Sequence, residues 1–233
     1  MRAFEEIYAQ AAARKGGPEA LEALIAEWSS KPQGELLALS DDRWLAAITR
    51  AVFQAGFAWR VIEAKWAGFE AAFHGFDPPL NAAMSEEEFD AHLKDAGIVR
   101  NAQKIASVRA NAQFLVDLAL QHGSAARVFA EWPQEDFAGL LELMKARAAR
   151  CAGETAMRMF RNMGKPAFIT TRDVAAALIE AGAIDRPPKS RKDLAAVQSA
   201  FNAWRAESGR DLTAISRVLA MSTGPIYAPG EWR

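Results

Sequence analysis

"FHGFDPPLNAAMSEEEFDAHLKDAGIVRNAQKIASVRANA", residues 73–112, is the stretch whose reading decides the fold. Its "FDPP" (76–79) stops a helix, because proline lacks the amide donor a helix interior needs and restricts the residue before it. Ser85 followed by Glu88 then forms a capping box, hydroxyl and carboxylate each satisfying a free backbone amide. This predicts a helix over "EEEFDAHLKDA" (86–96), closed by Gly97, and a longer one over 101–121. Neither here nor elsewhere do β-branched residues alternate between turn signals, so the chain is predicted to be all-α.

Working outward, residues 2–14 and 18–29 read as two short helices broken at Gly16, Gly17 and Pro18, with "SSKPQGE" (29–35) as a loop. Ser40, with Asp41 and Asp42 in the first turn, predicts a helix to about Ala55 that Gly56 ends; Trp44, Ile48, Ala51 and Val52 share one of its faces. "RVIEAKWAGFEAAFHGF" (60–76) keeps helical spacing. Helices are also expected over 134–150 and 153–163, joined by the tight turn "CAGE" (151–154). Thr170 or Thr171 caps "RDVAAALIEAG" (172–182), "AIDRPPKS" (183–190) is a linker, and 190–208 and 211–221 close the chain. The expected organisation is an N-terminal helical arm over 1–39, a core over 40–185, and C-terminal helices over 186–233 that pack on that core. Tyr8 and Trp28 are expected to pack.

Composition excludes several classes. With 28 Lys+Arg against 29 Asp+Glu the net charge is −1, so any basic surface is local. A single cysteine, Cys151, rules out an intrachain disulfide and a multi-cysteine zinc site, and it reads as a small buried hydrophobe. His74, His92 and His122 are too widely spaced for a short metal motif, so no metal and no cofactor are expected. His74 reads as structural rather than as a proton shuttle. The start "MRAFEEIYAQ" has no apolar signal region, and no uncharged run approaches the roughly 18 residues of a membrane span. The expected location is a reducing cytoplasm.

Two further stretches bear on function. Read alone, "QAGFAW" (54–59) is a glycine ending a helix before two aromatics, the pattern of a C-cap with core packing. "RAARCAGETA" (147–156) is a candidate hairpin: amides at a helix start suit a phosphate, Gly153 permits close approach and Thr155 adds a hydroxyl. Arg147 and Arg150 precede its turn, Arg158 and Arg161 follow it, and Arg100, Lys104 and Arg109 extend this local basic face.

Three ordered matches together resemble the DNA-3-methyladenine glycosylase I family over roughly residues 44–164. The first is carried by Phe73, His74, Phe76, Asp77, Pro78, Ala82, Ala83, Met84, Glu86, Glu87, "DAGIVR" (95–100), Lys104, Ile105, Asn111 and Ala112; the others are "QAGFAW" and "GETAMRMF" (153–160). The resemblance implies a two-lobed helix-hairpin-helix DNA glycosylase-like fold with extra N- and C-terminal helices. It implies a monomer that hydrolyses the N-glycosidic bond of an alkylated purine such as 3-methyladenine, extruding the damaged base from duplex DNA for base excision repair. Trp59 and Gln54 then bind the base, Gly56 and Phe57 form the wedge, and Arg147, Arg150, Gly153, Thr155, Arg158, Arg100 and Lys104 contact the DNA backbone.

Departures from the family pattern qualify that reading. Ala51 stands where the family carries its base-reading glutamate, so the catalytic group is left open; Glu63, Glu70 and Glu154 are the replacement carboxylates considered. The residues of the family's zinc site are absent, hence no zinc is expected. Ala152 replaces a common hairpin glycine. Glu154 occupies the place of the Schiff-base lysine of bifunctional relatives, which implies a monofunctional enzyme, and Thr170 or Thr171 falls where an aspartate is common, with Asp173 displaced. Ala51 also keeps open a non-catalytic or repurposed DNA-binding relative, and a helical interaction scaffold is the third class.

Overall fold

The structure, a computed structural model, describes residues 1–224; "YAPGEW" (227–232) lies outside the described residues. Among the described residues there are fifteen α-helices and no strand. The first eight are α1 (Phe4–Lys15), α2 (Pro18–Ala26), α3 (Gln33–Leu37), α4 (Asp41–Gln54), α5 (Trp59–Ala64), α6 (Trp66–Ala72), α7 (Pro78–Ala82) and α8 (Glu86–His92). The others are α9 (Ala102–His122), α10 (Ala125–Glu131), α11 (Phe137–Arg147), α12 (Glu154–Met163), α13 (Arg172–Glu180), α14 (Arg191–Ser208) and α15 (Leu212–Ser222). None of the described helices is long and apolar enough to cross a membrane.

Of the predicted caps, Ser85 Oγ accepts from the Glu88 amide (3.1 Å), but the Glu88 carboxylate meets His74 Nε2 (2.6 Å) instead of closing the box, and Thr171 rather than Thr170 caps α13. Ser190, read as the end of a linker, makes a complete box with Asp193 at α14. Ser40 precedes α4 but its side chain makes no cap bond. The acid beside it caps a different helix: Asp41 accepts from the amides of Ala125 (3.1 Å) and Ala126 (2.8 Å), holding its negative charge at the positive end of α10. Three short helices fall where the sequence reading has none: α3 in part on the expected loop, α7 on the expected stop, and α10 between two predicted helices. At "FDPP" the helix stop is also a start, because Pro78 sits at the first position of α7, where no amide donor is needed, and Asp77 caps it through the Leu80 amide (2.9 Å).

The chain divides into two compact units, which the expected boundaries at 39/40 and 185/186 do not follow. One comprises Met1–Ser30, Pro133–Ala138 and the described residues from Pro166 on; the other comprises Lys31–Trp132 and Gly139–Lys165. In the first, the N-terminal arm and the C-terminal helices pack on each other, since Trp204 Nε1 donates to Arg2 O (3.0 Å) and the Phe4 amide donates to Glu207 (2.8 Å). Phe137, Phe168, Phe201 and Trp204 form its aromatic row, with successive centroids 5.0, 4.9 and 5.9 Å apart. Trp28, expected to pack, is instead 50% exposed, with the Arg217 guanidinium 5.7 Å from its ring.

The second unit has its own aromatic core. Trp44 of α4, Phe129 of α10 and Phe160 of α12 meet at 5.0, 5.5 and 6.2 Å, all fully buried. Each such ring contributes roughly 2–3 kcal/mol by burial. Their consequence is positional: the helix that ends in "QAG" is fixed to the second helix of the hairpin.

Candidate nucleic-acid interface

The α4–α5 turn presents its aromatics. Gly56 has φ +77°, a conformation that L side chains rarely adopt, and nothing lies within 4 Å of where a Cβ would sit. Phe57 is 40% and Trp59 51% exposed, so the core-packing reading of this stretch does not hold. Gln54 Nε2 donates to Glu63 Oε1 at 2.9 Å, tying the end of α4 to α5.

Lys104, expected on the DNA backbone, is corrected by the structure: it is only 5% exposed. Its Nζ donates to Ala55 O (2.6 Å), Val52 O (2.8 Å) and Phe53 O (3.1 Å), the open carbonyls at the end of α4. A cation is favoured there by the helix dipole and by those unsatisfied acceptors. The ammonium also lies 4.5 Å from the centre of the Phe57 ring. Lys104 therefore holds the turn from beneath. Burial pushes its pKa below the ordinary lysine value, and the nearby Arg150 charge pushes the same way. The sequence does carry a signal for this, because Lys104 continues the buried stripe of Val108, Asn111 and Leu115 on α9.

Between α11 and α12 the chain makes the predicted hairpin. Asn111, fully buried, grips it from α9: Nδ2 donates to Ala149 O (3.0 Å) and Oδ1 accepts from the Ala149 amide (2.7 Å). Gly153, with φ +56° and open space beside it, leaves the start of α12 approachable, and Thr155 is half-buried two residues on. Cys151 is buried, which pushes its thiol up to about 12 and makes it a hydrophobic anchor. Asn111 was named from the sequence without a role.

The basic residues separate by their partners. Arg147 pairs with Asp117 (2.9 Å), Arg158 with Glu154 (2.5 Å) and Arg109 with Glu86 (2.8 Å), surface pairs worth only about 0–1 kcal/mol and open to exchange for phosphate. Arg150 donates to the neutral Gln103 (2.9 Å), so its charge is not cancelled, while Arg100 is exposed with no ion pair among the described residues. The first turns of α9 thus reach both features, Lys104 under the aromatic turn and Gln103 under the hairpin.

Beside this face, α4 and α6 enclose a cavity of about 220 Å³ lined by Arg43, Arg50, Trp66 and Glu70 among others. It offers no ring to a base: the Arg50 guanidinium covers Trp66 at 4.0 Å, and the rings of Phe69 and Phe76 stack with Trp66 at 5.5 and 5.3 Å. Glu70 is committed to Arg43 through both oxygens (2.9 and 3.1 Å) and also accepts from Trp66 Nε1; the Arg43 bond holds its pKa below the usual carboxylate range. Ala51 lies half-buried on α4.

Comparison with known proteins adds three findings. The family model described as methyladenine glycosylase matches residues 34–175, more than half of the chain. DNA-3-methyladenine glycosylase 1 of Escherichia coli strain K12 is 42% identical over 60 residues, and DNA-3-methyladenine glycosylase of Haemophilus influenzae is 33% identical over 60. Each match covers 26% of this chain and 32% of the relative, so the chain spans about a third of the length of the curated relatives it matches. Among solved structures, a point mutant of 3-methyladenine DNA glycosylase I from Staphylococcus aureus aligns with a TM-score of 0.51 at 16% identity, over 77% of this chain and 98% of that one. That likeness shows the fold.

Proposed function

We propose that this chain, which belongs to the methyladenine glycosylase family, is a monofunctional DNA glycosylase that extrudes an alkylated purine such as 3-methyladenine from duplex DNA and hydrolyses its N-glycosidic bond. One observation carries the reading: Phe57 and Trp59 stand exposed on a turn pinned by the buried ammonium of Lys104, while α9 also supports the hairpin. An enzyme acting on a base inside a duplex must take it out of the stack. Phe57 fills the gap, Trp59 supplies the stacking face, Gln54 borders the base, and Gly56 lets the backbone come close. Arg150, Arg100, the Gly153 amide and Thr155 hold phosphates, with Arg147 and Arg158 joining by exchanging their carboxylate partners.

The alkylated base is already a cationic leaving group, so a dry stacking site lowers the barrier without a strong acid. Glu154 donates no amine, hence no Schiff-base lyase step follows. The enzyme needs no zinc and no cofactor, and it acts as a monomer in the cytoplasm. A second reading, a DNA-binding relative without hydrolase activity, is favoured by Ala51 together with the commitment of Glu70 to Arg43 and Glu154 to Arg158.

Release of free base from methylated duplex DNA tests the proposal, with duplex affinity measured alongside for Arg150→Glu/Arg158→Glu. The parent releases 3-methyladenine and the charge-reversed variant loses both affinity and release. Tight parental binding with no release of any methylpurine supports the second reading; duplex affinity indifferent to charge reversal eliminates both.

A further inference from the structure

A base resting on Trp59 meets one carboxylate from the same helix. Trp59 and Glu63 are four residues apart on α5 and share a face, and helical side chains lean towards the N-terminus, so Glu63 reaches back over the turn that Trp59 begins. Gln54 Nε2 fixes Glu63 through Oε1 (2.9 Å), and Arg50 Nε stands 3.6 Å from the same oxygen. The second carboxylate oxygen has no partner among the described residues, and the side chain is 48% exposed. Of the other two carboxylates considered, Glu70 gives both oxygens to Arg43, and Glu154, bonded to Arg158 through one oxygen, begins α12 and shares no helix with Trp59.

We propose that Glu63 is the residue that reads the extruded base, its free oxygen accepting a hydrogen bond from the exocyclic amine of an adenine-type purine stacked on Trp59. The inference rests on the glycosylase reading above. Its chemistry selects twice. An amine donates to a carboxylate, whereas the carbonyl that a guanine-type base carries at the same ring position turns its lone pairs towards it. The positive charge of an alkylated purine in DNA is favoured both by the carboxylate and by the face of the indole. Gln54 acts through Glu63 as a positioning residue, presenting one oxygen by occupying the other.

Glu63→Gln tests this with little risk to the fold, because the side chain is half exposed. In the variant the amide oxygen stays with Gln54, and a donor faces the base amine. Single-turnover release of 3-methyladenine is expected to fall about ten- to a hundredfold, release of 3-methylguanine is not expected to fall, and duplex affinity is unchanged. An equal fall for both bases, or none for either, overturns the assignment. Calorimetric titration with free 3-methyladenine separates the two levels. Should the parent release no base, the glycosylase reading fails alone; a parental affinity for the free base that drops about tenfold or more in Glu63→Gln still sustains Glu63, and equal or absent binding in both overturns it.

Discussion

Two turns in one unit of this molecule are written almost alike and end up opposite. "QAGFAW" (54–59) and "FHGFDPP" (73–79) each set a positive-φ glycine before a phenylalanine, Gly56 at +77° and Gly75 at +62°. In the first, Phe57 and Trp59 face solvent; in the second, Phe73 and Phe76 are fully buried. The difference lies beneath them. Phe57 rests on the Lys104 ammonium, whereas Phe73 and Phe76 join a stack with Trp66 and Phe69, and Asn81 Nδ2 donates to Phe73 O (2.7 Å). That stack holds two non-glycine residues, His74 and Phe76, at positive φ. Such strain costs roughly 1–2 kcal/mol per residue, which burial of the phenylalanine rings offsets. A glycine followed by an aromatic therefore specifies a tight turn, and the partner across the chain decides whether the ring is presented or swallowed.

The largest test of this contrast compares two truncations. Phe73→Ala is expected to cost about 3–5 kcal/mol by chemical denaturation, while Phe57→Ala costs under about 1 kcal/mol and instead lowers base release. Comparable destabilisation by the two substitutions means that both rings serve packing.

A smaller effect concerns the ammonium itself. Burial holds the Lys104 pKa below its ordinary 10.5, so the folded chain binds fewer protons than the unfolded one between the lowered value and 10.5. Stability from this group rises as pH climbs through that window, and its burial cost is fully present below it. Lys165, buried and lowered to about 8, contributes with the same sign, so the comparison is parent against Lys104→Met. The variant is expected to lack part of the parental gain in urea stability between about pH 8 and 10. Superimposable profiles contradict the buried-cation account.

Much of this was legible in the sequence, and what was missed has physical causes. The all-α architecture followed from helical spacing, and Ser85 and Thr171 made caps at which helices begin. Helices α3, α7 and α10 are too short, five to seven residues, for periodicity to show. Asp41 was read as serving its own helix because its real partner, α10, is distant in sequence. The mutual packing of the N-terminal arm and the C-terminal helices is likewise non-local. At the site, "QAGFAW" and the hairpin were found, but Lys104 was read as a surface charge; only its place on the buried face of α9 distinguishes it from Arg100.

Single-turnover release of 3-methyladenine from methylated duplex DNA by Trp59→Ala, at matched stability and duplex affinity, is the most direct test that the presented turn carries the function. The account predicts that release collapses while folding and binding stay at parental levels. Release at the parental rate contradicts it, and returns Trp59 to the role of a surface aromatic.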